Sequence, residues 1–129
     1  MTERRVLQIV VAIGSLVPIG AGLAGAVLGP AMVDVAGAPA GADSHFRYLS
    51  GLLLGIGIAY ATAIPDIEHR TSRFRLLTAI VFVGGLSRLL SLFVRGVPDK
   101  PMLFGLVMEL GVTPALALWQ GRVARQALG

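Results

Sequence analysis

Residues 81–93 form an apolar run with one arginine, Arg88, well inside it. On insertion scales a guanidinium at the centre of a membrane helix costs about 3 kcal/mol, so such a residue faces a partner or a wet cavity rather than lipid. The rest of the chain must supply that partner. Glu109 is the only acid inside another apolar run, and Arg47 stands at the head of a third. These three charges are the candidate site.

The composition agrees with a membrane setting. Of 129 residues, 55% are hydrophobic and only 14% charged, where a soluble domain carries about a quarter. The mean hydropathy is +0.80. At about 20 residues per span, this length accommodates four spans with their loops and no sizeable extramembrane domain. The net charge of +4 comes from arginines at the ends of apolar runs, without the interleaved aromatics of a nucleic-acid surface. That pattern sets membrane topology instead. With no cysteine, thiolate metal sites and cysteine nucleophiles are excluded. His45 and His69 fall in different loops without companions at ligand spacing, so no metal or cofactor is expected.

The reading is all-α: an integral membrane four-helix bundle forming a single domain over 1–129, with spans at about 4–28, 45–64, 74–94 and 102–120. The first span has Pro18 near its middle, where a kink is expected. Two small-residue rows flank it, Gly14-Pro18-Gly22 and Ala21-Gly25-Gly29. Rows of this kind allow close helix packing in lipid, within the bundle or between copies in a homo-oligomer. The charged start and the small residues 24–26 also imitate a signal peptide, but the run is read as a retained span. Pro30, Gly37, Pro39 and Gly41 mark a loop, and Asp43 or Ser44 is expected to cap the second span. In that span Arg47, Gly51, Gly55, Ala59 and Ala63 recur every fourth residue, which predicts that the arginine shares the close-packing face.

Pro65 ends the second span, and residues 65–75 form a polar connection. In the third span Gly84, Ser87, Arg88, Ser91 and Arg95 share a face. In the fourth, Gly105, Glu109, Thr113, Ala117 and Gly121 repeat every fourth residue, with Pro114 expected to bend the helix and free carbonyls. Trp119 fits the interfacial belt.

Arg4 with Arg5, the 69–75 connection, and Arg122 with Arg125 fall on one side of a four-span arrangement. The positive-inside rule makes that side, and both termini, cytoplasmic in a multi-pass protein of a cell inner membrane. Arg88 then lies about 10 Å, and Glu109 about 12 Å, below the outer connection, at matching depth. Arg47 enters the same leaflet. Tyr48, Ser87, Ser91 and Thr113 are placed to complete the hydrogen bonding that a buried charge requires.

From about residue 45 to 120 the chain carries Phe46-Arg47-Tyr48 followed by Gly51 and Gly55, then Gly84-Gly85-Leu86-Ser87-Arg88, Glu109-Leu110 and Trp119-Gln120. In these positions it resembles an uncharacterised bacterial family of small four-helix membrane proteins, itself similar to the DoxX-like group. The resemblance implies a four-helix membrane bundle and no particular activity.

Three functions fit the residues. Two arginines against one glutamate leave a positive charge over, which suits an outer-leaflet site for a small anionic or amphipathic ligand, formed by Arg47, Tyr48, Ser87, Arg88, Ser91, Glu109 and Thr113. Alternatively Glu109 exchanges a proton in a small transporter, although small multidrug exporters carry their membrane glutamate in the first span, where this chain has none. Finally, the trio is a purely structural ion network. An enzyme acting on a lipid-soluble substrate, with Glu109 as acid or base, is held in reserve, and no catalytic motif supports it. Membrane lipid is the expected partner, and nucleic acid is not.

Overall fold

The computed structural model describes residues 1–129 and is helical throughout, without strands. Four long helices follow in order: α1 (Glu3–Leu28), α2 (Ala40–Thr62), α3 (Thr71–Arg95) and α4 (Lys100–Leu128). Short 3-10 turns, Gly29–Val33 and Ile67–His69, precede α2 and α3. Three stretches, Glu3–Val33, Thr71–Arg95 and Lys100–Leu128, are long and apolar enough to cross a membrane. The remaining helix, α2, is 23 residues long, but Asp43, Ser44, His45 and Arg47 crowd its first two turns.

The helices overrun the expected spans because a helix need not stop where the lipid does. α2 begins at Ala40 rather than near 45, so Asp43 lies inside its first turn, and neither Asp43 nor Ser44 supplies a side-chain cap. α4 begins at Lys100 with Pro101 in its first turn, a position where the missing N–H is not needed. It continues past Gln120 to Leu128, since its backbone bonds are intrahelical and survive outside the apolar layer. α1 runs through Pro18 without interruption.

The chain divides into two compact units, Ile9–Ile64 and Met1–Gln8 with Pro65–Gly129. In the first, α1 and α2 approach almost backbone to backbone. A Cβ added at Gly22 would stand 2.5 Å from the Leu54 nitrogen and 2.7 Å from the Ser50 carbonyl, and one at Gly57 would stand 2.8 Å from Ile19 and 3.1 Å from Pro18. Gly25 faces Ser50 and Phe46. The packing face of α2 is therefore Phe46, Ser50, Leu54 and Gly57. The expected row holds only at its ends, where Arg47 reaches α1 and Ala63 is buried; Gly51 and Gly55 between them are exposed, and a Cβ at either, or at Gly14, would meet nothing within 4 Å. Spacing by four specifies a stripe but not which stripe meets the neighbour, and the true face lies one residue earlier.

In the second unit, the start of α1 packs with the 65–70 connection, α3 and α4. Leu7, Ile67, Phe74, Leu77, Val123 and Ala124 are buried there. Gln120, fully buried, donates from Nε2 to the Ile67 carbonyl at 2.7 Å and to Thr71 Oγ1 at 3.0 Å. Arg4 donates to Glu68 at 2.7 Å and to the Pro65 carbonyl at 2.8 Å. Glu3 accepts from Trp119 Nε1 at 2.9 Å and pairs with Arg122. At the other end, α3 turns into α4 through residues 96–99. Gly96 adopts φ 94°, a backbone conformation open to glycine and strained for other residues.

Candidate functional site

Arg88, seven residues before the end of α3, meets Glu109 of α4. Its Nε donates to both carboxylate oxygens, at 3.0 and 3.2 Å, and its Nη2 donates to Oε1 at 3.0 Å. Nη1 ends on the Met102 sulfur at 3.0 Å, a weak acceptor. Met102 and Glu109, seven residues apart, lie on one helical face. Gly105 lies under the guanidinium, where an added Cβ would sit 3.5 Å from Arg88 Cζ.

Two further features hold the pair. Gly85, three residues before Arg88 and buried, receives α4 closely: a Cβ there would stand 2.7 Å from Leu110 Cδ2 and 2.9 Å from Glu109 Cβ. The second is a π turn over Met108–Val112, in which the Thr113 N–H donates to the Met108 carbonyl five residues back. Pro114 explains it. Lacking an N–H, it cannot serve the carbonyl of Leu110 as an α-helical residue would, so the ladder is already broken and the wider turn costs less. Turns of this kind cluster at functional sites.

The charges remain partly open. The Arg88 side chain keeps 33% of its exposure and that of Glu109 16%, while Leu86, Leu90, Phe93, Phe104 and Val107 beside them are exposed. Glu109 receives its hydrogen bonds from Arg88. The guanidinium, with five N–H groups, is the member with donors to spare.

The other expected residues do not join this pair by hydrogen bonds. Ser87 Oγ donates to the Val83 carbonyl of its own helix at 3.2 Å. Ser91 is exposed on α3, and Thr113 is half-buried on α4. Tyr48 is exposed on α2. Arg47 finds its acid in its own helix, donating from Nε to Asp43 at 2.7 Å, and its Nη1 donates to the carbonyls of Ala26 and Val27 at 3.0 and 2.8 Å. Those carbonyls belong to the last turn of α1, where acceptors lack helical partners and a cation suits the dipole. The expected surplus of positive charge therefore fails, because Asp43, read as a cap, is the counter-ion of Arg47.

The Met102 contact, the packing role of Gly85, which the sequence offered only as part of the motif 84–88, and the π form of the disturbance expected at Pro114 were not read from the sequence. The spacing of Met102 from Glu109 and the position of Pro114 five residues beyond Glu109 are the signals that carry them.

A polar cluster outside the apolar segments is also built tightly. The Arg4 hydrogen bond, helped by the charge of Arg4, holds the Glu68 carboxyl below its ordinary range.

Residues 6–120, nearly the whole chain, match the family described as Domain of unknown function (DUF4345). The chain belongs to this family. DUF4345 is uncharacterised, as the resemblance implied, and the match carries neither an activity nor the DoxX-like kinship. No curated protein matches the chain. No solved structure matches it. The chemistry of this DUF4345 member must therefore be argued from the Arg88–Glu109 pair itself.

Proposed function

We propose that this protein is a small multi-pass protein of the bacterial inner membrane, in which the Arg88–Glu109 pair binds the polar or anionic head of an amphipathic molecule drawn from the membrane. One observation carries the reading: Arg88 Nη1 has only the Met102 thioether as acceptor, at 3.0 Å, on a guanidinium still 33% exposed among apolar side chains. A charged donor in such surroundings gains from an oxygen acceptor, since hydrogen bonds to charged groups are worth more than neutral ones. Glu109 orients the guanidinium, and Met102, long and adaptable, yields its place to the incoming head. The exposed Leu90, Phe93 and Phe104 offer the apolar part of the ligand a surface continuous with lipid.

Organic extracts of purified parent protein and of Arg88→Gln, compared by mass spectrometry, test this. The parent should retain an amphipathic compound that the variant lacks. Identical extracts would leave the pair as a device that fixes helix register.

A further inference from the structure

We infer that a second site, on the other end of α3, holds the phosphate of an anionic membrane phospholipid between Arg75 and Arg125. A groove of about 570 Å³ opens there, lined by Thr71, Arg75, Gly121, Ala124, Arg125, Leu128 and Gly129. The side-chain acids nearby are all engaged. Glu3 binds Trp119 and Arg122, Asp66 binds Arg70, and Glu68 binds Arg4 and His69. Arg75 and Arg125 have no carboxylate partner, a condition they share with Arg5, Arg95 and Lys100, but of these five only Arg75 and Arg125 line the groove.

The groove is shaped for a phosphodiester with a glycerol backbone rather than for a free ion. Gly121 and Ala124 leave its floor low: a Cβ on Gly121 would meet only Arg125 Nη1, at 3.6 Å. Leu128, 58% exposed, adds an apolar wall beside the two guanidiniums. Thr71, whose Oγ1 accepts from Gln120, adds a hydroxyl to the lining. Arg75 precedes Arg88 by thirteen residues, about 20 Å of helix. With the Arg88 pair inside the apolar layer, that distance brings the groove to the level of the opposite headgroups, where basic pockets between helices take anionic lipids.

The test uses the full chain in a neutral detergent, with thermal melting as readout and three probes: short-chain phosphatidylglycerol, short-chain phosphatidylcholine and inorganic phosphate. Phosphatidylglycerol should raise the melting temperature and the other two should not. Arg75→Gln and Arg125→Gln should each weaken the apparent affinity about fivefold, and together about thirtyfold, as expected for one headgroup contact per arginine. Changing both arginines to lysine should keep the preference, and Arg95→Gln, outside the groove, should not disturb it. Equal shifts with phosphatidylcholine, or with inorganic phosphate, overturn the inference. So does a preference lost on Arg88→Ala but kept without Arg75 and Arg125. If the glutamine variants fail to fold, the lysine pair and the lipid discrimination of the parent decide the matter by the same outcomes.

Discussion

Arg88 Nε lies 3.0 and 3.2 Å from the two carboxylate oxygens of Glu109, across the hairpin of α3 and α4. The pair is balanced, one cation to one anion, and is neither sealed nor free. An intermediate strength follows. Breaking a buried pair costs about 3–5 kcal/mol, whereas exposed pairs contribute about 0–1. A double-mutant cycle with Arg88→Gln and Glu109→Gln, read by reversible unfolding in detergent, should give a coupling of about 1–3 kcal/mol.

Gly85 and Gly84 are neighbours in sequence with opposite expectations. An added methyl at Gly85 would press on Glu109 Cβ and Leu110 Cδ2, but at Gly84 it meets nothing within 4 Å. Gly85→Ala should destabilise by about 1–3 kcal/mol through overpacking. Gly84→Ala should be neutral or stabilising by up to about 1 kcal/mol, because alanine favours the helix. Melting of the two variants side by side checks both signs.

Asp43 should matter through Arg47. Without the acid, Arg47 keeps the Ala26 and Val27 carbonyls but loses its counter-ion, so Asp43→Ala should cost about 1 kcal/mol or less at this partly exposed site. Arg47→Ala removes the carbonyl contacts as well and should cost more. The two melting temperatures should fall in that order.

The Arg4–Glu68 bond makes stability depend on acidity. The folded pKa of Glu68 is lowered, so its contribution is complete above the unfolded value. It is lost as pH falls from about 4.3 through the folded pKa. Glu68→Gln should melt lower than the parent at neutral pH, with the difference shrinking as the pH drops below that window. A constant difference down to strongly acid pH would contradict the linkage.

The class of fold was legible because apolar runs of membrane length leave little choice, and Arg88 with Glu109 was legible because depth along two antiparallel helices can be counted in residues. Arg47 was misassigned. Its acid lay one helical turn earlier and was read as a cap, since a sequence does not say where a helix starts to within a turn. The close face of α2 was missed for a related reason: Gly51 and Gly55 mark a smooth stripe, but Ser50 and Gly57 make the contact, and only the rotation of the helix decides between them. The disturbance of α4 was legible in Pro114, but its form as a π turn was not, because a proline marks where the ladder breaks and not how the backbone accommodates the break.

The central claim is that Arg88 holds a membrane-derived ligand, and a lipid-dependent melting experiment tests it most directly. The Arg75→Gln/Arg125→Gln protein serves as the background, so that the second groove does not contribute. Bacterial lipid extract should raise its melting temperature, and adding Arg88→Gln should abolish that rise. Glu109→Gln should leave the protein folded with a reduced rise, because the guanidinium remains but is less well oriented. A background protein indifferent to the extract, with Arg88→Gln and Glu109→Gln lowering stability alike, would contradict the claim and leave the pair as a structural clamp between α3 and α4.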